Sequence, residues 1–209
     1  MAQATRDLHA AAEGSGVVAQ MLRGSITRAG YVLYLRNLLP AYLALESGLV
    51  RHRDSLLIGP ICLAETFRVA PLQADLAAIA GPGWADLAVL PEAASYAAAI
   101  DAAGDGDGAL LLAHAYTRVL GDLSGGQMLA RVMAGLFGLG PLSLQFYRFP
   151  EIADLAGFKA GYRARLDESG AMLACTARVI DAARSAFEHN IALSEAVAGA
   201  VAVCEREME

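Results

Sequence analysis

Asp122 stands among glycines, in the stretch Tyr116-Thr117-Arg118-Val119-Leu120-Gly121-Asp122-Leu123-Ser124-Gly125-Gly126-Gln127. Apolar residues recur at helical spacing on both sides, from Leu110 to Leu120 and from Met128 to Phe137, so periodicity alone draws one long helix. The interior glycines oppose that reading, each at a cost of about 1 kcal/mol relative to alanine. They offer bare backbone, which permits a kink and lets a flat ligand lie against the main chain. A tight helix crossing uses glycines in the same way. A carboxylate beside them, however, needs water, a cation or hydrogen-bond donors and suits a packed crossing poorly. The stretch reads as a helix opened for a planar ligand.

Two other groups have chemistry to offer such a ligand. His9 has Arg6 three residues before it and Glu13 four residues after, so all three share one side of a helix. A neutral imidazole is a common metal ligand, and a carboxylate one turn away fixes its tautomer directly or through water. The plainer alternative is an ordinary charged helix face. Lys159, Tyr162 and Arg163 form the second group. Like charges at this i, i+4 spacing repel unless an anion lies between them, although Asp154 and Asp167 are close enough in sequence to make a solvated, balanced face instead. Of the remaining histidines, His52 between two arginines reads as a solvated helix end, and His189 as part of the polar side of the last helix. His114 has apolar neighbours and reads as a hydrogen-bonded core histidine.

The elements that must position these residues are helical almost throughout. A first helix is expected over about Gln3 to Gly14, and a second, capped by Thr27, to about Arg51. In the second, Leu35, Leu38, Tyr42, Leu45 and Leu49 share a face, which puts the Tyr42 hydroxyl at the edge of the core, and Pro40 bends the helix. Prolines 60, 71 and 91 and the Gly81-Pro82-Gly83 turn divide the next section into short helices, one around Leu72 to Ala80. A helix from about Glu92 to Ala103 leads into Gly104-Asp105-Gly106-Asp107-Gly108, a solvated turn that lacks the later ligands of a calcium loop. Gly138-Leu139-Gly140-Pro141 stops the glycine-rich helix. Two more follow, about Ile152 to Leu166 and Met172 to Glu205, the last with Ile180, Phe187, Ile191, Val197 and Val201 on a broad apolar face. No strand alternation, repeat or linker is visible. The expectation is an all-α fold, one domain over residues 1–209.

Composition narrows the partners. The chain of 209 residues is 56% hydrophobic and 18% charged, enough for one sizeable core. A net charge of −6 argues against nucleic acid or an anionic lipid surface as partner. The start of the chain shows no secretory apolar region, and the apolar run from Ala196 to Cys204 is too short to cross a bilayer, so a soluble cytoplasmic protein with no membrane partner is expected. Cys62, Cys175 and Cys204 have no metal-site spacing and read as reduced thiols buried as small hydrophobes.

The block Ala113-His114-Ala115-Tyr116-Thr117-Arg118, continuing through Leu120 to Gln127, resembles the signature of the heme oxygenase family. Arg6-Asp7-Leu8-His9-Ala10-Ala11-Ala12-Glu13 resembles that family's proximal helix, and Ile26-Thr27-Arg28-Ala29-Gly30-Tyr31 the start of its second helix. The likeness continues through Tyr42-Leu43-Ala44-Leu45-Glu46, Phe158-Lys159-Ala160-Gly161-Tyr162-Arg163 and Ala186-Phe187-Glu188-His189-Asn190-Ile191, in order and spacing, over essentially the whole chain.

The resemblance implies heme held between a proximal helix and a kinked distal helix. His9 matches the proximal iron ligand, with Glu13 one turn away. Gly121, Gly125 and Gly126 match the distal glycines, and Asp122 the distal carboxylate that organises water. Arg118 and Tyr42 match its hydrogen-bonding neighbours. Arg6, Tyr116, Lys159 and Arg163 match positions that handle the heme propionates, and His114 matches a histidine that is not the iron ligand. Heme is then both cofactor and substrate, O2 the co-substrate, and the products are biliverdin, carbon monoxide and ferrous iron. Nothing in the sequence resembles a flavin or nicotinamide site, so electrons must come from an external reductase or ferredoxin-like donor, and a monomer is expected. Ala2 stands where many members have a basic residue and Phe67 roughly where some place a histidine, and the apolar C-terminal anchor of the membrane-bound members is not expected here. A noncatalytic heme or bilin carrier and a ligand-free helical interaction protein are the alternatives. Keeping Asp122 together with His9 favours catalysis.

Overall fold

The Thr27 hydroxyl accepts a hydrogen bond from the Gly30 amide at 3.1 Å and starts a 24-residue helix, α3 (Arg28–Arg51), around which a computed structural model places the rest of the chain. The structure describes residues 1–207. Before α3 lie a 3-10 turn (Ala2–Thr5), α1 (Arg6–Gly14) and α2 (Gly16–Arg23). After it come α4 (Val69–Ala80), α5 (Pro91–Ala103), α6 (Leu111–Phe137), α7 (Leu155–Ala171) and α8 (Ala177–Glu207). The fold is all-α, as expected. Among the described residues no helix is long and apolar enough to cross a membrane.

α3 is the central member and packs against α4, α5, α6 and α8. Leu35, Leu38, Tyr42, Leu45 and Leu49 are all buried, and each leucine is worth about 1.5–3 kcal/mol of transfer free energy. Pro40 is accommodated inside the helix without ending it. Asn37 is fully buried yet satisfied. It donates to the Leu33 and Ala88 carbonyls and accepts from the Leu90 amide, which ties the segment before α5 to α3.

Several boundaries differ from the sequence reading. α2 was not foreseen: it is only eight residues long, and Gly24 ends it at φ 67° with the Ser25 amide bonded back to Gln20. α7 starts at Leu155 because Asp154 caps it, accepting from the Gly157 amide, and continues past Leu166 to Ala171. α8 starts at Ala177, directly after Thr176, so residues 172–176 form the connection. The helix through the glycines runs unbroken from Leu111 to Phe137. Bare backbone has opened its side, not its hydrogen-bond ladder. Cys62 is half-buried and Cys175 exposed, against the expectation of buried thiols; Cys175 falls in the connection before α8, outside the core. The Cys204 side chain lies outside the described residues.

The N-terminal helices, which carry His9, pack on α8, and one glycine lets them come close. Gly16 has φ +49°, and a Cβ there would lie 2.3 Å from the Ser194 main chain. Ser194 completes the joint: its hydroxyl accepts from the Val18 amide and donates to the Ser15 carbonyl, both at 3.0 Å. Gly16→Ala should therefore cost at least about 2 kcal/mol, from backbone strain plus overpacking, read as a lower urea midpoint with unchanged slope. An unchanged midpoint would show that this joint does not hold the N-terminal segment.

Candidate active site

A cleft of about 420 Å³ opens between α1 and α2 on one side and α6, α7, α8 and the Phe146-Tyr147 segment on the other. That is the scale of a small-molecule site. α1 presents His9 and Glu13 to it, and α6 presents Tyr116, Arg118, Gly121, Asp122, Gly125 and Gly126. The helical spacing explains the second set: residues 118, 121, 122, 125 and 129 lie on one stripe of an α-helix. A Cβ built on Gly121 or Gly125 meets no atom within 4 Å, so the glycines leave open room beside bare main chain. Gly126 differs, since its Cβ would stand 3.3 Å from the Tyr147 ring. It serves close packing of the wall.

His9 keeps 55% of its side chain exposed and makes an edge contact with Phe187 of α8, ring centroids 5.8 Å apart. Its Nδ1 lies 3.8 Å from the Glu13 carboxylate, too long for a direct hydrogen bond but near enough for the charge to be felt. The imidazole is thus oriented and still accessible.

Asp122 is almost wholly buried and lies at the end of a polar chain that crosses four helices. Tyr42 of α3 donates to its Oδ2 at 2.6 Å, and Arg118, one turn earlier on α6, brings Nη2 to 3.5 Å from Oδ1. The Tyr42 hydroxyl in turn accepts from Arg118 Nε at 3.0 Å, and the guanidinium sits 4.8 Å over the Tyr42 ring. Arg118 Nη1 donates to the Asn190 side chain on α8, and Asn190 Nδ2 donates to the Tyr96 hydroxyl at 3.1 Å. Burial pushes the Asp122 carboxyl above the ordinary range, while the Arg118 charge, the Tyr42 hydrogen bond and the buried cation of Arg68 pull it back. Such a balance suits a group that holds and releases a proton. Burial also pushes the Tyr42 hydroxyl well up, so it remains a donor.

Tyr42 itself does not line the cleft; it lies beneath the wall, 2% exposed, and positions Asp122. Arg163 of α7 lines the cleft, and Lys159 stands at its rim with Nζ 3.4 Å from the Ser124 hydroxyl. Among the described residues neither makes an ion pair, and Asp154 is spent capping α7. Arg6 is exposed and outside the cleft lining, while Tyr116 lines it and reaches Thr5 at 3.5 Å. Tyr162 is turned inward and donates to the Ile61 carbonyl. Phe67 packs against the core, and the neighbouring Arg68 is the polar residue buried there, donating to four carbonyls. Sequence reasoning missed the roles of Asn190, Phe187 and Arg68. Phe187 reads from sequence only as part of the apolar face of the last helix, and Asn190, in the same Ala186–Ile191 block, carries no local mark.

The other histidines are elsewhere, and each differs from its sequence reading. His52 is half-buried against Gly108 and pairs with the Gly104 carbonyl at 2.8 Å, pinning the acidic loop to α3. His189 stacks on Tyr96 at 5.3 Å, where the ring finds an apolar partner. His114 is 3% exposed, but its Nδ1 has no hydrogen-bond partner, so the core encloses it without satisfying it.

A helical fold that gathers an accessible imidazole, bare glycine backbone and a buried, hydrogen-bonded carboxylate around one cleft has the make-up of an enzyme active site. Comparison with known proteins gives that class its family. The Heme oxygenase family model matches residues 1–196. Heme oxygenase 1 of Homo sapiens is 37% identical over 198 residues, covering 92% of this chain and 68% of the relative. Heme oxygenase 1 of a Nostoc species is 32% identical over 197 residues, covering 93% and 83%. Among solved structures, heme oxygenase-1 of Synechocystis in complex with heme aligns with a TM-score of 0.91 at 28% identity, covering 99% of this chain and 94% of that one. The chain belongs to the heme oxygenase family and is an enzyme of it.

The His114 environment yields a pH prediction. Burial lowers its pKa from 6.5 to about 4, so the unfolded chain binds more protons than the fold between those values. Its contribution to stability is complete above pH 6.5 and is lost as the pH falls towards 4, by about 3 kcal/mol in all. Replacing His114 by Phe should remove that share of the acid sensitivity in urea titrations at pH 7 and pH 4.5. Equal acid sensitivity in both proteins contradicts a buried neutral imidazole.

Proposed function

We propose that this enzyme cleaves heme to biliverdin, carbon monoxide and ferrous iron, using O2 and electrons from an external ferredoxin-like or reductase donor, with residues 1–209 acting as one domain. The observation that carries the reading is the meeting of His9, the open backbone at Gly121 and Gly125, and the Asp122 carboxyl in a single cleft. The donor set fits heme. A flat ring needs the space that two Cβ atoms would fill, ring iron needs a nitrogen ligand, and two propionates need cations that no carboxylate already pairs.

Each residue then has a task. His9 holds the iron, and Glu13 biases its tautomer. Tyr116, Lys159, Arg163 and, from the outer edge of α1, Arg6 seat the propionates. Gly121 and Gly125 bring the distal main chain close, and Gly126 lets that wall pack on Tyr147. Heme supplies the iron that activates dioxygen and the ring that is opened. Asp122 Oδ1 orders water in the cleft and passes on a proton, while Oδ2 is occupied by Tyr42. Arg118, held by Asn190, keeps that carboxyl from turning away.

The direct test mixes the purified protein with hemin and a reducing system in air, with catalase present. Loss of the Soret band with appearance of biliverdin is expected; a persistent Soret band with reduction confirmed would mark a carrier. His9→Ala should abolish the iron–imidazole spectrum, and Asp122→Asn should keep that spectrum while slowing ring opening by about 100-fold or more, the scale of a lost general acid. Full ring opening by the Asn variant would remove Asp122 from its role.

Gly125→Ala separates fold from function. The added methyl meets no protein atom, so helix propensity should raise stability by about 0.5–1 kcal/mol, while the narrower cleft weakens hemin binding measured by Soret titration. Unchanged hemin affinity would mean that the ring does not lie against this backbone.

A further inference from the structure

A second cavity lies on the other side of the same wall. It is a groove of about 480 Å³, open to solvent, between the C-terminal half of α6 and residues 139–155. Its floor is apolar, with Leu144, Phe149 and Ile152, and its polar groups are Gln127, Arg131 and Arg148. No Asp or Glu lines it. In a chain carrying a net charge of −6 this is an uncommon setting for two arginines. Both side chains are exposed, and among the described residues neither donates to a protein acceptor nor makes an ion pair.

The partition between groove and cleft is thin. Along α6, residues 125, 126, 128 and 129 face the cleft, whereas 127, 130, 131 and 134 face the groove. In the segment after it, Phe146 and Tyr147 face the cleft, and Arg148 and Phe149 the groove. One contact closes the partition at its middle: Gln127 Nε2 donates to the Tyr147 carbonyl at 2.6 Å.

We infer that this groove is a second binding site, for the open-chain tetrapyrrole dicarboxylate that the cleft produces. The proposal rests on the heme-cleaving reading. Ring opening turns a rigid disc into a flexible, apolar chain bearing two carboxylates. The groove offers apolar surface for the chain and two free guanidinium forks for the carboxylates, within a site of small-molecule size beside the place of formation. Occupation of the groove lets product leave the cleft while a fresh heme enters.

The experiment titrates biliverdin into the heme-loaded protein, without reductant, so that the cleft is filled and its Soret band reports that it stays filled. One equivalent of biliverdin should bind with the Soret band intact, and Arg131→Ala/Arg148→Ala should weaken this by about 10- to 100-fold, with hemin affinity and single-turnover ring opening unchanged. Binding that displaces heme, binding indifferent to the two arginines, or displacement of biliverdin by a lower concentration of laurate would each overturn the assignment, the last by giving the groove to fatty acids. Failure of the parent reading would show separately, as absence of biliverdin in the single turnover.

Discussion

The hydrogen bond from Tyr42 to Asp122 is the contact on which the arrangement turns. A carboxylate almost out of water is costly unless donors meet it, and here they come from two directions: a phenol on α3 and a guanidinium one turn back on its own helix. The guanidinium is held in turn by Asn190 on α8. Three helices are thereby locked into one register at the level of the cleft. The register of α6 fixes which of its residues face the cleft, so the same contact that satisfies Asp122 also aims the glycines.

This explains why the core is built around α3. Its buried leucines set the distance to α6, and Tyr42, the buried phenol that donates to Asp122, sets the rotation. The proximal side is joined to α8 instead, through the Gly16–Ser194 joint, the buried residues of α2 and the His9–Phe187 contact. His9 therefore rides on a segment that α8 positions, while Asp122 belongs to the core itself. The two sides of the cleft have different mechanical origins.

Much of this was legible in the sequence where one physical signal dominated. The apolar stripe of α3, its Thr27 cap and the glycines around Asp122 each act locally, and the structure agrees with them. Local signals failed where a partner distant in sequence decides. Asn190 carries no mark of its own, and its role exists only because Arg118, 72 residues away, reaches it. His189 sits on a helix face that reads as polar, yet Tyr96 of α5 covers it. The start of α7 was misplaced because Asp154 was counted as a charge when it acts as a cap. The spacing of Lys159 and Arg163 left open an anion between them or a balanced solvated face, and only the packing shows that among the described residues no carboxylate pairs with them.

α6 also divides along its length. From Leu111 to Leu123 most residues are buried, but beyond Ser124 only Gly126 and Met133 are. The first half is therefore held by the whole core, and the second by its own backbone ladder and one side of packing. Amide exchange should grade along this single helix, slow before the glycines and faster after them, because opening the second half exposes little apolar surface. An unbroken helix is here two units of different stability, and they meet at the bare backbone that lines the cleft.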